Sequence, residues 1–114
     1  MNPRLLEKRA ESDLLKAGYL VQRALFSIKH IPGRIISHQS DFFNVWDIIA
    51  VKSGDCILMQ VCSGTKLRTH MNKINKSFPY TTWAKQVLRY YFKVRGRWAY
   101  TDHVRTESGW SGID

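Results

Sequence analysis

The segment that decides the fold runs from residue 47 to residue 62 and reads Asp-Ile-Ile-Ala-Val-Lys-Ser-Gly-Asp-Cys-Ile-Leu-Met-Gln-Val-Cys. Two apolar runs flank the turn-forming residues 52–55, which predicts two neighbouring strands, at about 43–51 and 56–62, joined as a hairpin. Asp47 begins the first run and Gln60 closes the second, so we expect a carboxylate and an amide oxygen to lie close together. Oxygen ligands of this kind are what Mg²⁺ prefers.

The segments before and after this pair predict an α/β domain. Apolar residues at helical spacing between Pro3 and Gly18 predict a first helix. Residues 19–26 are typical of a strand, residues 27–41 of a loop or a strand-edge excursion, and the polar, basic residues 67–76 of a second helix.

The C-terminal part predicts further strands. Thr81 or Thr82 is expected to cap a short helix that extends to Val87, and residues 88–100 are expected to form a hairpin. Residues 104–114 are expected to be a flexible tail. The whole chain, 1–114, is therefore predicted to be a single domain of the α/β (α+β) class, with one mixed β-sheet flanked by helices.

The charge of the chain indicates a polyanionic partner. A net charge of +9 over 114 residues favours nucleic acid over a membrane, and no apolar run approaches the ~20 residues of a membrane span. The start of the chain has no signal-peptide pattern, and two cysteines without metal-ligand spacing suit a reducing compartment. We expect an intracellular, cytoplasmic protein, in the host cytoplasm if the chain is viral.

The basic residues form two groups. The group after the third strand is expected to follow a phosphate backbone, with Arg23 as a further contact. The second group alternates with aromatic residues and has an alternative explanation, a strand with one face in the core and cations on the other. The predicted nucleic-acid-binding residues are Arg23, Lys66, Arg68, His70, Lys73, Lys76, Arg95 and Arg97.

These residues resemble a known pattern, that of the PD-(D/E)XK nuclease superfamily and especially the small archaeal and viral Holliday-junction resolvases, over roughly residues 5–66. The family has a glutamate on its first helix ahead of a Gly-aromatic pair, and here Glu7 precedes Gly18-Tyr19. The family aspartate begins an apolar second strand, as Asp47 does. Its Glu-x-Lys on the third strand corresponds to residues 60–62, Gln-Val-Cys. The resemblance implies a restriction-endonuclease-like core.

The resemblance also implies roles. Asp47 and Gln60, with the backbone carbonyl of Val61, would hold Mg²⁺ or Mn²⁺, and Glu7 would complete the outer shell or a second metal site. Each residue has a structural alternative as well. Asp47 would then pair with a cation at a strand end, Gln60 would be a hydrogen-bonded core amide, and Glu7 with Glu11 would be solvated surface.

One departure from the family pattern concerns the lysine. Cys62 stands in its place, and a thiol cannot supply the positive charge that the family lysine places beside the scissile phosphate. Lys66, and after it Lys52, are the candidates to replace that charge. A serine or histidine between residues 27 and 40 is also expected to approach the phosphate, with Ser27, Ser37, Ser40 and His38 left as alternatives.

The function predicted by this resemblance is a metal-dependent DNA endonuclease, acting like a Holliday-junction resolvase or on other branched DNA. Lys66 joins Glu7, Asp47 and Gln60 as the expected catalytic residues. A homodimer is expected, because paired cuts in a junction require two sites, with Phe42, Phe43 and Trp83 at its interface. The alternative is a nucleic-acid-binding protein that keeps the nuclease fold with weak or no catalysis, or a subunit that needs a partner.

Overall fold

The fold is seen in a computed structural model that describes residues 3–31, 34–40, 42–43 and 45–111, with only the backbone of residues 3, 25–31 and 34–40. In chain order its elements are α1 (Pro3–Lys16), β1 (Leu20–Arg23), β2 (Leu25–Ile31), β3 (Arg34–Ser40), β4 (Ile48–Lys52), β5 (Asp55–Ser63), α2 (Leu67–Ser77), β6 (Lys85–Val94), β7 (Arg97–Thr106) and β8 (Gly109–Trp110).

Six strands form one mixed sheet in the order β1-β4-β5-β6-β7-β8. Every neighbouring pair is antiparallel except β5 and β6, which are parallel. A parallel pair needs a long crossover, and α2 supplies it. The described residues thus form a mixed α/β protein with one six-stranded sheet and two helices, which confirms the predicted class.

Helix α1 covers one face of the sheet. Leu6, Ala10 and Leu14 recur every fourth residue and are buried against Ile48, Ala50, Ile57 and Met59 of the central strands. The helix ends in a Schellman motif, in which the N–H groups of Gly18 and Tyr19 donate to the carbonyls of Leu15 and Leu14. Gly18 has a φ of 94°, a backbone conformation that glycine adopts without strain.

Helix α2 covers the opposite face. Met71 and Ile74 are its buried residues, and they belong to a second core cluster with Leu58, Cys62 and Leu88. The alternation of side chains along β5 explains why both faces are apolar, since Ile57, Met59 and Val61 face α1 while Leu58 and Cys62 face α2.

Two predicted strands have different bounds. The strand predicted over 19–26 divides into β1 and β2, and the strand predicted over 43–51 is reduced to β4. The segment 27–41, predicted as a loop or a strand-edge excursion, contains most of the hairpin of β2 and β3, a separate two-stranded sheet. Pro32-Gly33, serines and histidines indicated a loop, but the isoleucines on both sides favour strands.

The short helix predicted to extend to Val87 is wrong. Residues 81–84 are irregular, and Lys85 begins β6, in which Val87 pairs with Met59 and Val104. The Gln86 side chain donates to the carbonyl of Pro79 (2.9 Å) and to the hydroxyl of Thr81 (3.2 Å). These bonds hold the chain in an extended approach to the strand.

The flexible tail predicted over 104–114 is also corrected as far as residue 111. Residues 104–106 continue β7, and Gly109–Trp110 forms β8 against it. Trp110 packs against the α2-face core and donates to Asn75 Oδ1 (3.2 Å), contacts with no local sequence signal. The last three residues lie outside the described part of the chain.

Neither helix of the described chain is both long and apolar enough to traverse a lipid bilayer.

Candidate functional site

A cleft of about 480 Å³ opens where β4 begins and β5 approaches its end. Side chains from four parts of the chain share it: the start of α1, the residue before β4, the end of β5, and the first half of α2. The lining residues are Leu6, Glu7, Asp47, Gln60, Val61, Cys62, Ser63, Lys66, His70 and Lys73. All four predicted catalytic residues therefore lie in one cleft, although 59 positions separate the first from the last (66 − 7).

Asp47 is held by the backbone around it. Its N–H donates to the carbonyl of Met59 (2.9 Å), and its carbonyl accepts from the N–H of Ala24 (2.8 Å). Its carboxylate oxygen Oδ2 accepts from the N–H of Val61 (2.9 Å), and only 6% of the residue is exposed. A carboxylate bonded to backbone amides keeps its orientation, so Asp47 presents its charge to the cleft in a defined position.

Gln60 follows Met59 on β5, and Asp47 precedes Ile48, the residue that pairs with Met59 at the start of β4. It is 4% exposed, and among the described residues its Oε1 atom accepts no hydrogen bond. A buried acceptor without a donor costs about 1–3 kcal/mol. The alternative of a hydrogen-bonded core amide therefore does not describe this oxygen.

Glu7 reaches the same cleft from α1. Only 5% of the residue is exposed, which differs from the solvated surface that was its structural alternative. Glu11, one turn later, points instead towards β1, where its Oε1 lies 3.7 Å from the Nη1 of Arg23. The structure thus separates two glutamates that their spacing on the helix left equivalent.

A basic wall faces these acidic residues. Lys66 and Lys73 line the cleft from α2, with His70 half-buried between them. Burial lowers the pKa of His70, and the positive charges of Lys73 and Lys66 lower it further. The imidazole is therefore neutral at pH 7, and its Nδ1 has no hydrogen-bond partner among the residues that the structure describes.

Lys52, the second candidate to replace the family lysine, does not lie at the cleft. It ends β4 five residues from Asp47, about 17 Å along the strand. Its Nζ donates to the carbonyl of Ala17 (3.3 Å) and lies over the Tyr19 ring. Of the two candidates, only Lys66 is in position.

Cys62 lines the cleft on the same side of β5 as Gln60, two residues along the strand. Burial raises the pKa of its thiol to about 12, and the negative charge of Asp47 contributes to the rise. The group is a neutral thiol at physiological pH, so it adds no charge to the cleft.

The other predicted nucleic-acid contacts lie around or away from the cleft. Arg68 and Lys76 are exposed on α2, whereas Arg23 is half-buried, near Glu11 and the carbonyl of Arg4. Arg95 and Arg97 lie at the β6–β7 turn. The turn begins seven residues beyond Leu88, the β6 neighbour of Gln60, so about 23 Å separates it from the Gln60 level.

Arg89, on β6 ahead of this turn, is buried. Its guanidinium makes two hydrogen bonds to Asp102 (2.8 and 2.9 Å) and lies 3.5 Å from Asp13. Burial alone lowers its pKa, and the bond and charge of Asp102 raise the pKa on balance. Its positive charge is therefore paired with carboxylates of the protein itself.

Two lining residues had not been selected from the sequence. Leu6 follows from the helical periodicity next to Glu7, and Ser63 follows from the alternation along β5, which puts it on the same side as Val61. Ser27, Ser37, Ser40 and His38 lie on the β2–β3 hairpin, and their side chains are outside the described part of the structure.

The donor set of the cleft is two carboxylates and one amide oxygen. In the described ranges no group of three His, Cys, Asp or Glu side chains is close enough to hold a metal ion. The Gln60 oxygen is an amide donor and is buried without a hydrogen bond, so it fits a hard cation such as Mg²⁺ together with Asp47 and Glu7. The sequence matches no protein-family model, and no curated protein matches it significantly.

Proposed function

We propose that this protein is a metal-dependent endodeoxyribonuclease of the PD-(D/E)XK type, acting on branched DNA. The observation that carries the proposal is the convergence of buried Glu7, buried Asp47 and the unpaired Gln60 oxygen in one cleft with a basic wall. Two carboxylates and an amide oxygen are hard oxygen ligands of the kind that a divalent ion such as Mg²⁺ takes.

The order of elements supports a nuclease-like core. The chain order is α1, β1, β4, β5, the crossover helix α2 and the parallel strand β6, with the β2–β3 hairpin inserted after β1. The four strands are neighbours in the sheet in this same order. Asp47 before the second of these strands and Gln60 on the third occupy the places that the resemblance assigns to the metal ligands.

Asp47, Gln60 and the carbonyl of Val61 would hold Mg²⁺ or Mn²⁺, with Glu7 in the outer shell. When bound, such an ion polarises the scissile phosphate and favours deprotonation of the attacking water. The bond from Val61 N–H fixes the Asp47 carboxylate. Lys66 and Lys73 lie where they can offset the charge that develops on the phosphate, which is the role that Cys62 cannot perform.

DNA is the proposed substrate because the acidic centre lies beside exposed cations on a chain of net charge +9. Each lysine that contacts a phosphate of duplex DNA contributes about 0.9 to the slope of log affinity against log salt concentration. We therefore expect Lys73→Met to lower the slope by about one, whereas the matched variant Lys52→Met leaves it unchanged. Equal slopes for all three proteins would remove α2 from the DNA-binding surface.

The experiment that tests the reaction is cleavage of labelled duplex, single-stranded and four-way-junction DNA with Mg²⁺, with Mn²⁺ and with EDTA. Cleavage with metal that is lost in EDTA and in Asp47→Asn is the expected result. Asp55→Asn is the control, because Asp55 accepts a hydrogen bond from Tyr19 at the far end of β5. Metal-independent cutting, or cutting that Asp47→Asn leaves intact, would contradict the proposal.

A homodimer is part of the proposal, since a two-fold pair of sites makes paired cuts in a junction. Phe43 and Trp83 are 67% and 61% exposed, whereas Phe42 is only partly exposed. Light scattering on the purified protein measures its oligomeric state. A monomer that cuts only one strand of a junction would contradict the proposed homodimer.

One observation favours a second candidate function. Cys62 is a neutral thiol at the place of the family lysine. If neither Lys66 nor Lys73 replaces that charge, the protein is a nuclease-fold DNA-binding protein. Binding of four-way junctions with no cleavage in Mg²⁺ or Mn²⁺ is the result that this alternative predicts.

A further inference from the structure

A second pocket, of about 300 Å³, lies on the α1 face of the sheet, away from the metal-ligand candidates. Arg9 and Lys16 line it from the helix, and Tyr91, Trp98 and Tyr100 line it from β6 and β7. We call it the aromatic pocket. Its volume is at the lower end of the range for small-molecule sites, which is enough for one planar ring system and its substituents.

The aromatic rings form a wall with one buried polar group. The centroids of Tyr91 and Tyr100 are 5.6 Å apart, and Tyr100 is 44% exposed, with the Arg89 guanidinium over one face of its ring at 3.9 Å. Tyr91 is only 2% exposed, and its hydroxyl has no hydrogen-bond acceptor in the part of the chain that the structure describes, although the donor Arg89 lies beside it. Burial raises the pKa of this phenol, although nearby Arg89 opposes the rise, so the hydroxyl keeps its proton and is a hydrogen-bond donor.

The charges around the aromatic pocket favour an anion. Asp13 also lines it, and the Arg89 guanidinium lies between Asp13 (3.5 Å) and Asp102 (2.8 Å), so these three groups together keep one negative charge. Arg9 and Lys16 add two positive charges at the helix side. A ligand with a flat ring and a negative group nearby would meet aromatic surface, a phenol donor and cations together. Nucleotides have this combination.

The aromatic pocket begins next to the catalytic cleft. Ser63 lines the cleft, and its partner in the parallel β5–β6 register is Tyr91, which lines the aromatic pocket. Neighbouring strands are about 4.8 Å apart. On α1, Glu7 lines the cleft and Arg9 lines the aromatic pocket, and two residues of spacing put them on opposite sides of the helix. The two sites therefore adjoin in the sheet, across Ser63 and Tyr91.

We infer that the aromatic pocket binds an unpaired nucleotide of the DNA strand that occupies the cleft, with the base against Trp98 and Tyr100 and the phosphate near Arg9 and Lys16. The inference rests on the proposed function in taking DNA as the partner, and it specifies the substrate further. DNA with an unpaired base beside the cut is preferred over continuous duplex, because a paired and stacked base cannot enter the pocket.

The test measures binding without cleavage. A single-stranded tetranucleotide with 2-aminopurine at an inner position is titrated with the full chain in EDTA, and stacking is followed as quenching of 2-aminopurine fluorescence. We expect saturable quenching, and we expect Tyr100→Leu to weaken binding about tenfold, since one base–aromatic stack is lost. Tyr80→Leu, at a tyrosine of similar exposure (41%) ahead of β6, is the matched control and should bind like the unmodified chain.

A second variant keeps the test valid if Tyr100→Leu proves unstable. Arg9→Gln removes a cation from the pocket, and Lys8→Gln removes one from the neighbouring exposed position on α1. Both variants lower the net charge by one. Because Arg9 lines the pocket and Lys8 does not, only Arg9→Gln should weaken the quenching. Competition with adenosine monophosphate distinguishes two kinds of site. A site for free mononucleotides loses the probe at a concentration similar to that of the competing tetranucleotide, whereas a site for a strand does not.

Three results would overturn the inference: absence of quenching, equal loss with Tyr100→Leu and Tyr80→Leu, or displacement by the free mononucleotide as effective as by the unlabelled tetranucleotide. The outcome is separate from that of the proposed function. A chain that cuts DNA with metal but shows no selective effect of Tyr100→Leu keeps the nuclease and loses the pocket. A chain that quenches selectively and cuts nothing keeps the pocket as a binding site.

Discussion

Gln60→Glu is the substitution that most directly tests whether the cleft holds a metal ion. It introduces the carboxylate that the proposed function assigns to this position, and both Gln60 and Asp47 lie one residue beyond the β4–β5 pair Ile48 and Met59. Side chains opposite each other on antiparallel strands are about 5 Å apart. At an effective dielectric constant of about 20, two unit charges at that distance repel by about 3 kcal/mol.

We therefore expect Gln60→Glu to be about 3 kcal/mol less stable than the unmodified chain in EDTA, which is roughly 12 °C in melting temperature for a chain of this length. The repulsion raises the pKa of the introduced carboxyl in the folded protein. The penalty is thus absent below about pH 4, where the group is protonated, and complete above roughly pH 7. Saturating Mn²⁺ should recover most of the loss, because a dication removes the repulsion and gains a charged ligand.

The assay is calorimetric unfolding at pH 7.5 in EDTA and in Mn²⁺, repeated at pH 4 in EDTA. Gln86→Glu is the control, because Gln86 is equally buried but its Oε1 accepts from Arg105 (2.7 Å), far from the cleft. Its stability change should not depend on Mn²⁺. If Mn²⁺ stabilises both variants equally, or leaves Gln60→Glu as unstable as in EDTA, the metal site is refuted.

Two further predictions concern charged and ionisable groups outside the metal ligands. The pKa of the Cys62 thiol is raised to about 12, so at pH 8.5 in EDTA it should react with iodoacetamide roughly a thousandfold more slowly than an ordinary cysteine. Peptide mass spectrometry should find Cys56 modified first. The reverse order would contradict the burial of Cys62. Arg89→Met should lower the free energy of unfolding, measured by urea titration, by about 2 kcal/mol, because it removes two charge-assisted bonds to Asp102. Arg95→Met, in an exposed turn, should change this free energy by less than about 0.5 kcal/mol. Equal effects would show that the ion pair adds nothing to stability.

Some features of the fold were readable from short stretches of sequence because their causes are local. The period of apolar residues in α1, the turn residues between β4 and β5, and the glycine between β6 and β7 each act within a few positions. The same stretches did not reveal the β2–β3 hairpin, in which loop-forming residues interrupt a strand pattern. They did not reveal β8 either, because Trp110 is held by Asn75, 35 residues away.

The class of the fold and the proximity of the Asp47 carboxylate and the Gln60 amide could be predicted from residue types and their spacing. Only the tertiary structure decided which distant residues join that pair. It brings Glu7 and Lys66 to the cleft, places Lys52 at the other end of β4, and buries Arg89 between two aspartates. The physical reason is that the packing of α1 and α2 on opposite faces of the sheet sets these distances, and no local period encodes that packing.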